Sequence, residues 1–201
     1  MIARQPTLIS VHDYLELEAH SPERHEYMRG QIYAMTGGSE SHALISGNVS
    51  RSIGNQIADR GCRVYTSDLR VKSPAWLYAY PDVSVVCGEP ILQVENGQPS
   101  LLNPQLIVEV LSPSTEGYDQ GNKFHGYRAI PTLTAYVLIA QDCPWVEVRL
   151  KNADGDWVMH VVEGSELVAE VPPLDLHLEC SAIYQNVRWP EPPPNLDANP
   201  A

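Results

Sequence analysis

Apolar side chains between residues 39 and 60 recur every four positions, at Ile45, Val49, Ile53 and Ile57. That spacing draws one stripe along a helix of about Ser39 to Arg60, with Gly61 placed as a C-terminal cap. Gly47 and Gly54 weaken the helix, so packing must hold the stripe. A shorter helix of about Val11 to Ala19 starts at Ser10, with Asp13 in a capping-box position, and stops before Pro22. His25 to Met35 reads as a hairpin turning at Arg29-Gly30-Gln31. Short apolar runs mark strands at Cys62 to Thr66, Leu69 to Lys72, Asp82 to Cys87 and Gln105 to Leu111. Glu89 to Pro104 is loop-like, with a turn at Asn96-Gly97. A helix of about Glu116 to Ala129 is stopped by Pro131. Thr134 to Ile139 is an uninterrupted apolar strand. Trp145 to Leu150 and Trp157 to Val162 form a hairpin in which the two tryptophans are expected to face each other. The order gives a mixed α/β or α+β domain, a central sheet flanked by helices.

With 201 residues, the chain has room for one sizeable core. Residues 1–189 are expected to form a single domain. From Pro190 onward five of twelve residues are proline, so residues 190–201 read as an extended or disordered tail. Composition is globular, with 43% hydrophobic and 19% charged residues. No apolar run approaches the roughly 18 residues of a membrane span. No signal-peptide stretch opens the chain, so the cytoplasm is the expected compartment. The net charge of −12 argues against a surface coated in phosphate-binding residues, though a local positive cleft remains open. Cys62, Cys87, Cys143 and Cys180 are widely spaced, give no local zinc motif, and are expected as reduced thiols.

Two strands carry an acid where acids are costly. Glu109 lies in the middle of Leu106-Ile107-Val108-Glu109-Val110-Leu111. Asp82 opens Asp82-Val83-Ser84-Val85-Val86-Cys87. Strand alternation puts Glu109 on a face with Ile107 and Leu111, and Asp82 on a face with Ser84 and Val86. If the strands are antiparallel neighbours, the two acids meet. Hard oxygen donors of this kind suit magnesium or manganese, which polarises a phosphate and activates water. In the following helix Asp119, Lys123 and Tyr127 share a face at i, i+4, i+8. A lysine above two carboxylates orients an attacking water or stabilises charge on phosphorus. Simpler readings stand beside these: a structural salt bridge at Asp82 and Glu109, and a solvated Asp119–Lys123 pair.

Tyr80 to Val86, then Val108 to Thr115, then Asp119, Lys123 and Tyr127, taken together, resemble the Uma-two family of restriction endonucleases within the PD-(D/E)xK nuclease superfamily. His25-Glu26-Tyr27-Met28-Arg29-Gly30, Ser67-Asp68-Leu69-Arg70-Val71 and Leu133 to Ile139 extend the resemblance over about residues 5 to 185. It implies a restriction-endonuclease-like fold with a mixed sheet between helices. It implies Asp82 and Glu109 as ligands of Mg2+, with Mn2+ as a substitute and the Val110 carbonyl joining them. Lys123 would act in catalysis and Glu26 would be an additional acid of the site. DNA is the implied substrate and partner. One position departs from the superfamily pattern: Leu111 stands where it places lysine, and Lys123 would supply the amine from the next helix.

Other positions carry two readings each. His42 lines the cleft as a substrate-binding group or is a partly buried core histidine. Tyr127 contacts a phosphate or is packing. Glu26 forms a local pair with Arg24 or belongs to the site. Asp68 is the acid of a turn or a site member. Ser112 to Thr115 closes the cleft or caps a helix. His125 and Arg128 are candidates for the rim. The leading expectation is a metal-dependent endonuclease acting on DNA, working as a homodimer because double-strand cleavage needs two sites. The alternative is a catalytically silent binding or scaffolding module of the same fold. A third reading is a metal hydrolase of small phosphate esters.

Overall fold

The computed structural model describes residues 8–35, 37–112 and 116–189. The proline-rich tail and most of the Ser112 to Thr115 loop lie outside them. In chain order the elements are α1 (Val11–His20), β1 (His25–Met28), β2 (Gln31–Ala34), α2 (Glu40–Ile57), β3 (Cys62–Thr66), β4 (Arg70–Ser73), β5 (Leu77–Ala79), β6 (Val83–Cys87), β7 (Leu92–Glu95), β8 (Gln98–Leu101) and β9 (Leu106–Leu111). A π-helical segment (Tyr118–Lys123) runs directly into α3 (Phe124–Tyr127). Then follow β10 (Ala135–Ala140), β11 (Trp145–Lys151), β12 (Trp157–Glu163), β13 (Val168–Val171), a 3-10 turn (Pro172–Leu174), β14 (Leu176–Glu179) and α4 (Cys180–Ile183).

The central sheet has the order β12-β11-β10-β9-β6-β3. It is mixed: β9 and β10 run parallel, and the other neighbours are antiparallel. Parallel neighbours need a crossover, and here the π segment and α3 supply it. One face of this sheet packs the predicted α2 stripe, Ile45, Val49, Ile53 and Ile57, against Val83, Val85, Leu106, Val108 and Val110. Each of these side chains contributes about 1.5–3 kcal/mol by leaving water. The opposite face packs Val86, Ile107, Leu111, Tyr136 and Leu138 against a second six-stranded sheet, β2-β1-β5-β4-β8-β7, and against α3. The molecule is thus layered helix, sheet, sheet, and the seam between the two sheets is where the acids point.

The Ser10 cap follows the sequence, whereas Ser39 precedes α2 as its cap and α2 ends at Ile57, with Ala58 and not Gly61 as its C-cap. Ser10 accepts from the Asp13 amide and Ser39 from the His42 amide. The β1–β2 turn uses left-handed Arg29 and Gly30, at φ 48° and 91°, a pair suited to a tight hairpin turn.

Several expectations need correction. Residues 89–104 contain the β7–β8 hairpin, turned by Asn96-Gly97 with φ 48° and 79°. Leu92 and Val94 are exposed there, so the usual buried alternation is missing. The helix expected over 116–129 is a π segment and one α turn. β5, β13, β14 and α4 were not foreseen. Trp145 pairs with Glu163 and Trp157 with Lys151, so the tryptophans stand at opposite ends of their hairpin. Cys62 and Cys87, expected reduced, are direct partners across β3 and β6 and form a disulfide. Cys143 is exposed and Cys180 is buried, both as free thiols. No helix among the described residues is long and apolar enough to cross a membrane.

Candidate active site

β6 and β9 are antiparallel neighbours, with Val83 opposite Val108. One step further the same register sets Asp82 beside Glu109. Asp82 Oδ2 accepts the Val110 amide at 2.8 Å, which extends the pairing of the two strands through a side chain. Both acids lie on the seam face of the sheet. That part of the geometry follows from alternation and register alone.

Lys123 reaches the same place from the crossover. Its Nζ lies 2.9 Å from Glu26 Oε1, 3.0 Å from Glu109 Oε1 and 3.4 Å from Asp119 Oδ1. All four side chains are buried. The Asp119–Lys123 pair is therefore no solvated surface pair. Glu26, from β1 of the second sheet, turns its carboxylate inward. Its Oε1 also accepts the Tyr80 amide at 3.0 Å. Arg24 does not pair with it, and instead meets the exposed Asp68 at 2.6 Å. Tyr127 has no exposed surface, and its hydroxyl donates to Glu109 Oε1 at 3.2 Å.

His42 stands in the first turn of α2, held there by the Ser39 cap. Its Nε2 lies 3.3 Å from Asp82 Oδ2. The hydrogen bond to Asp82 raises its pKa against the opposing effect of burial, with further help from Asp119 and the Val110 backbone. Asp82 and His42 keep 14% and 22% side-chain exposure, against 7% for Lys123 and 5% for Glu109. The cluster therefore opens at the Asp82–His42 end and is closed at the lysine. His125 and Arg128 are exposed and take no part in it.

Burial raises the Glu109 pKa well above the ordinary carboxylate range. Lys123 opposes this, whereas Asp119, Asp82 and Glu26 add to it. Lys123 loses hydration on burial, but Glu109 and Glu26 more than offset that and hold its pKa up. Burial and the Glu109 charge keep the Tyr127 phenol neutral. Three carboxylates thus share one ammonium, with Asp82 as a fourth acid nearby, and Glu109 bears the shortfall of positive charge.

The π segment explains the three glycines only in part. At Gly126 an added Cβ would lie 2.7 Å from Leu77 Cδ2, so close approach to β5 requires glycine there. Gly117 and Gly121 have open space around them. Asp119, which the sequence places on the Lys123 face, is buried in the site; the members not anticipated are Tyr118 beside it and the side chains beneath the π segment, Tyr136 and Arg149.

The family model described as "Putative restriction endonuclease", Uma2, matches residues 11–182. The chain belongs to the Uma2 family. Two uncharacterized proteins of Synechocystis sp. (strain ATCC 27184 / PCC 6803 / Kazusa) are similar along most of their length. Slr1290 is 36% identical over 94% of this chain and 100% of its own. Sll1609 is 35% identical over 85% of this chain and 96% of its own. Among solved structures, a putative nuclease of DUF820 from Anabaena variabilis ATCC 29413 superposes with a TM-score of 0.68. That match has 23% identity and covers 85% of this chain and 96% of the other, so it establishes the fold. The restriction-endonuclease-like architecture expected from the sequence is the one observed, and the Uma2 family is of nuclease type.

Proposed function

We propose that this Uma2 protein is a divalent-metal-dependent endonuclease that hydrolyses DNA phosphodiester bonds. The observation that carries the reading is the Asp82–Glu109 pair on antiparallel β6 and β9, with the Lys123 amine 3.0 Å from Glu109.

Among the described residues no three His, Cys, Asp or Glu side chains form a ready metal cage. Magnesium does not ask for one, since it keeps several waters and takes one or two carboxylates together with substrate phosphate. The shortfall of positive charge around Glu109 fits a divalent cation. Asp82, Glu109 and the Val110 carbonyl would hold Mg2+, or Mn2+ in its place. The ion supplies Lewis-acid polarisation of the phosphate and acidifies the attacking water. Lys123 donates to that water and fixes its direction, which is the positioning contribution to the rate. Glu26 and Asp119 keep the ammonium charged and aimed. Tyr127 orients Glu109, so its hydroxyl serves the ligand and not the substrate. His42, at the open end, meets a phosphate oxygen as a donor.

Incubation with DNA and Mg2+ or Mn2+ tests the reading, alongside Asp82→Ala and Lys123→Ala. Metal-dependent cleavage by the wild type that both substitutions abolish is expected. Cleavage that persists in both would sink the assignment.

Two observations favour a second reading, a silent binding module: Lys123 is already committed to three carboxylates, and Leu111 occupies the superfamily's lysine position. A melting curve with Mn2+ separates the two. Binding to the native state alone must raise Tm, and no rise at millimolar Mn2+ favours the silent module.

A further inference from the structure

The lysine of the site stands on the least regular segment of the fold. A π-helix is rare, and short stretches of it are frequent at functional sites. Here the segment ends on Lys123 itself. Helical propensity does not favour it, since glycine occupies position 121 within it and position 117 just before it. Two side chains of the central sheet grip it from below. Tyr136 of β10 donates its hydroxyl to the Asp119 carbonyl at 2.9 Å. Arg149 of β11 donates Nη1 to the Gln120 carbonyl at 2.7 Å. These two residues are direct partners in the β10–β11 ladder, so adjacent strands take adjacent carbonyls.

Arg149 does more than donate one hydrogen bond. Its guanidinium carbon lies 4.4 Å from the centroid of Phe124, the residue after Lys123. It also lies 5.9 Å from the Tyr136 ring. Its Nε bonds to Glu147 Oε1, two residues earlier on the same face of β11. Both members of that ion pair are buried. A buried pair of this kind is poor value as a stabiliser, because desolvation consumes most of the attraction. A guanidinium fork, by contrast, is suited to fixing geometry, since its donors are held rigidly in one plane.

We propose that Arg149, aimed by Glu147 and paired with Tyr136, is a positioning residue that clamps the π segment in the register presenting Lys123 to Glu109 and Glu26. The role rests on the nuclease reading for its purpose, though not for its test. Arg149 touches neither the carboxylates nor the amine. It acts on either side of Lys123, through the Gln120 carbonyl and the Phe124 ring.

The test measures the segment directly. The chain holds three lysines, Lys72, Lys123 and Lys151. Acetic anhydride labelling read by mass spectrometry gives the reactivity of Lys123 against the other two as internal references. Hydrogen exchange of the amides from 118 to 127 gives the local opening. The variants are Arg149→Met with Glu147→Gln, which removes the clamp without leaving a buried charge, Tyr136→Phe, which removes one hydroxyl, and Arg149→Lys. In the double variant, Lys123 labelling and exchange at 118–127 should rise by about tenfold or more, with exchange in β6 and β9 unchanged. Tyr136→Phe should move both in the same direction by less. Arg149→Lys should recover part of the protection, because an ammonium still reaches a carbonyl but lacks the fork. In cleavage assays, kcat should fall with little change in KM. The proposal is overturned if labelling and exchange at Lys123 stay at wild-type values, or if exchange rises evenly through the central sheet, which would make Arg149 a general core support. A wild type that fails to cleave DNA removes the nuclease reading and leaves the labelling and exchange results to decide the clamp.

Discussion

The two faces of β9 present the same chain in two regimes. Leu106, Val108 and Val110 face α2 and pack with Ile45, Val49, Ile53 and Ile57. Ile107, Glu109 and Leu111 face the seam, where Glu109 meets Lys123, Tyr127 and the other acids. All six residues are buried. Burial alone therefore does not separate a structural position from a chemical one. What differs is how each face is held. The helix face is held by area and shape, without direction. The seam face adds to its apolar contacts a set of charges whose balance depends on a single ammonium.

The sharpest way to break this contrast is to remove that ammonium. Lys123→Met keeps the volume and leaves three buried carboxylates without their cation. A loss of about 3–5 kcal/mol at neutral pH is expected from urea unfolding. The loss should shrink on acidification. Without Lys123 the folded-state pKa of Glu109 rises further above its ordinary value of 4.5. A raised folded pKa gives a contribution present below the ordinary value and lost as pH climbs through the raised one. Stability that is indifferent to Lys123→Met at all pH values would mean the seam is not held by charge.

The matching change on the other face is Ile53→Ala. It opens a cavity and should cost about 3 kcal/mol. The cost should be independent of pH, and the rise in Tm expected with Mn2+ should survive, because Ile53 packs in the apolar cluster on the opposite face of the sheet. If the Mn2+ effect disappears with Ile53, the two faces are coupled and the contrast fails.

Much of this was legible from residues alone. The α2 stripe, the two acid-bearing strands and the meeting of Asp82 with Glu109 follow from period and alternation, which physical geometry fixes locally. Lys123 as their companion was legible through the family pattern together with the i, i+4, i+8 spacing. The rest was hidden for identifiable reasons. The π register leaves no periodic trace over six residues. Glu26 comes from the other sheet, and nothing near it in sequence indicates that Arg24 turns away to Asp68. β7 and β8 expose Leu92 and Val94, so their alternation reports no core. Cys62 and Cys87 are 25 residues apart, and only the β3–β6 register makes them partners.

A smaller change sharpens the seam itself. Tyr127→Phe removes one hydroxyl that supports Glu109, at a cost of about 1 kcal/mol near neutral pH. Its clearer signature lies in alkali. The folded pKa of Tyr127 is held well above the ordinary 10.0 by burial and then by Glu109. The group therefore contributes stability that is complete below pH 10 and lost as pH rises toward the raised value. Each such tyrosine steepens the decline by about 1.4 kcal/mol per pH unit. Tyr127→Phe should remove one such increment from the slope of unfolding free energy between pH 10 and 11. An unchanged slope would show that the phenol is not sheltered in the native state.

The smallest expected effect comes from an acid that shares the chemistry of the seam but not its surroundings. Asp68 meets Arg24 at 2.6 Å, a shorter contact than any made by Lys123, yet its side chain is 81% exposed. Water screens the pair and competes for both partners, so the short distance carries little energy. Asp68→Ala should cost about 0.2–1 kcal/mol at low salt and nothing measurable at about 1 M salt, where the screening length falls to about 3 Å. Metal binding and cleavage should be untouched. Lys123→Met, measured in the same two buffers, should keep its cost, because salt does not enter the seam. If both variants respond alike to salt, the carboxylates of the seam are as open to water as Asp68, and the closed end of the site is closed only to inspection by distance.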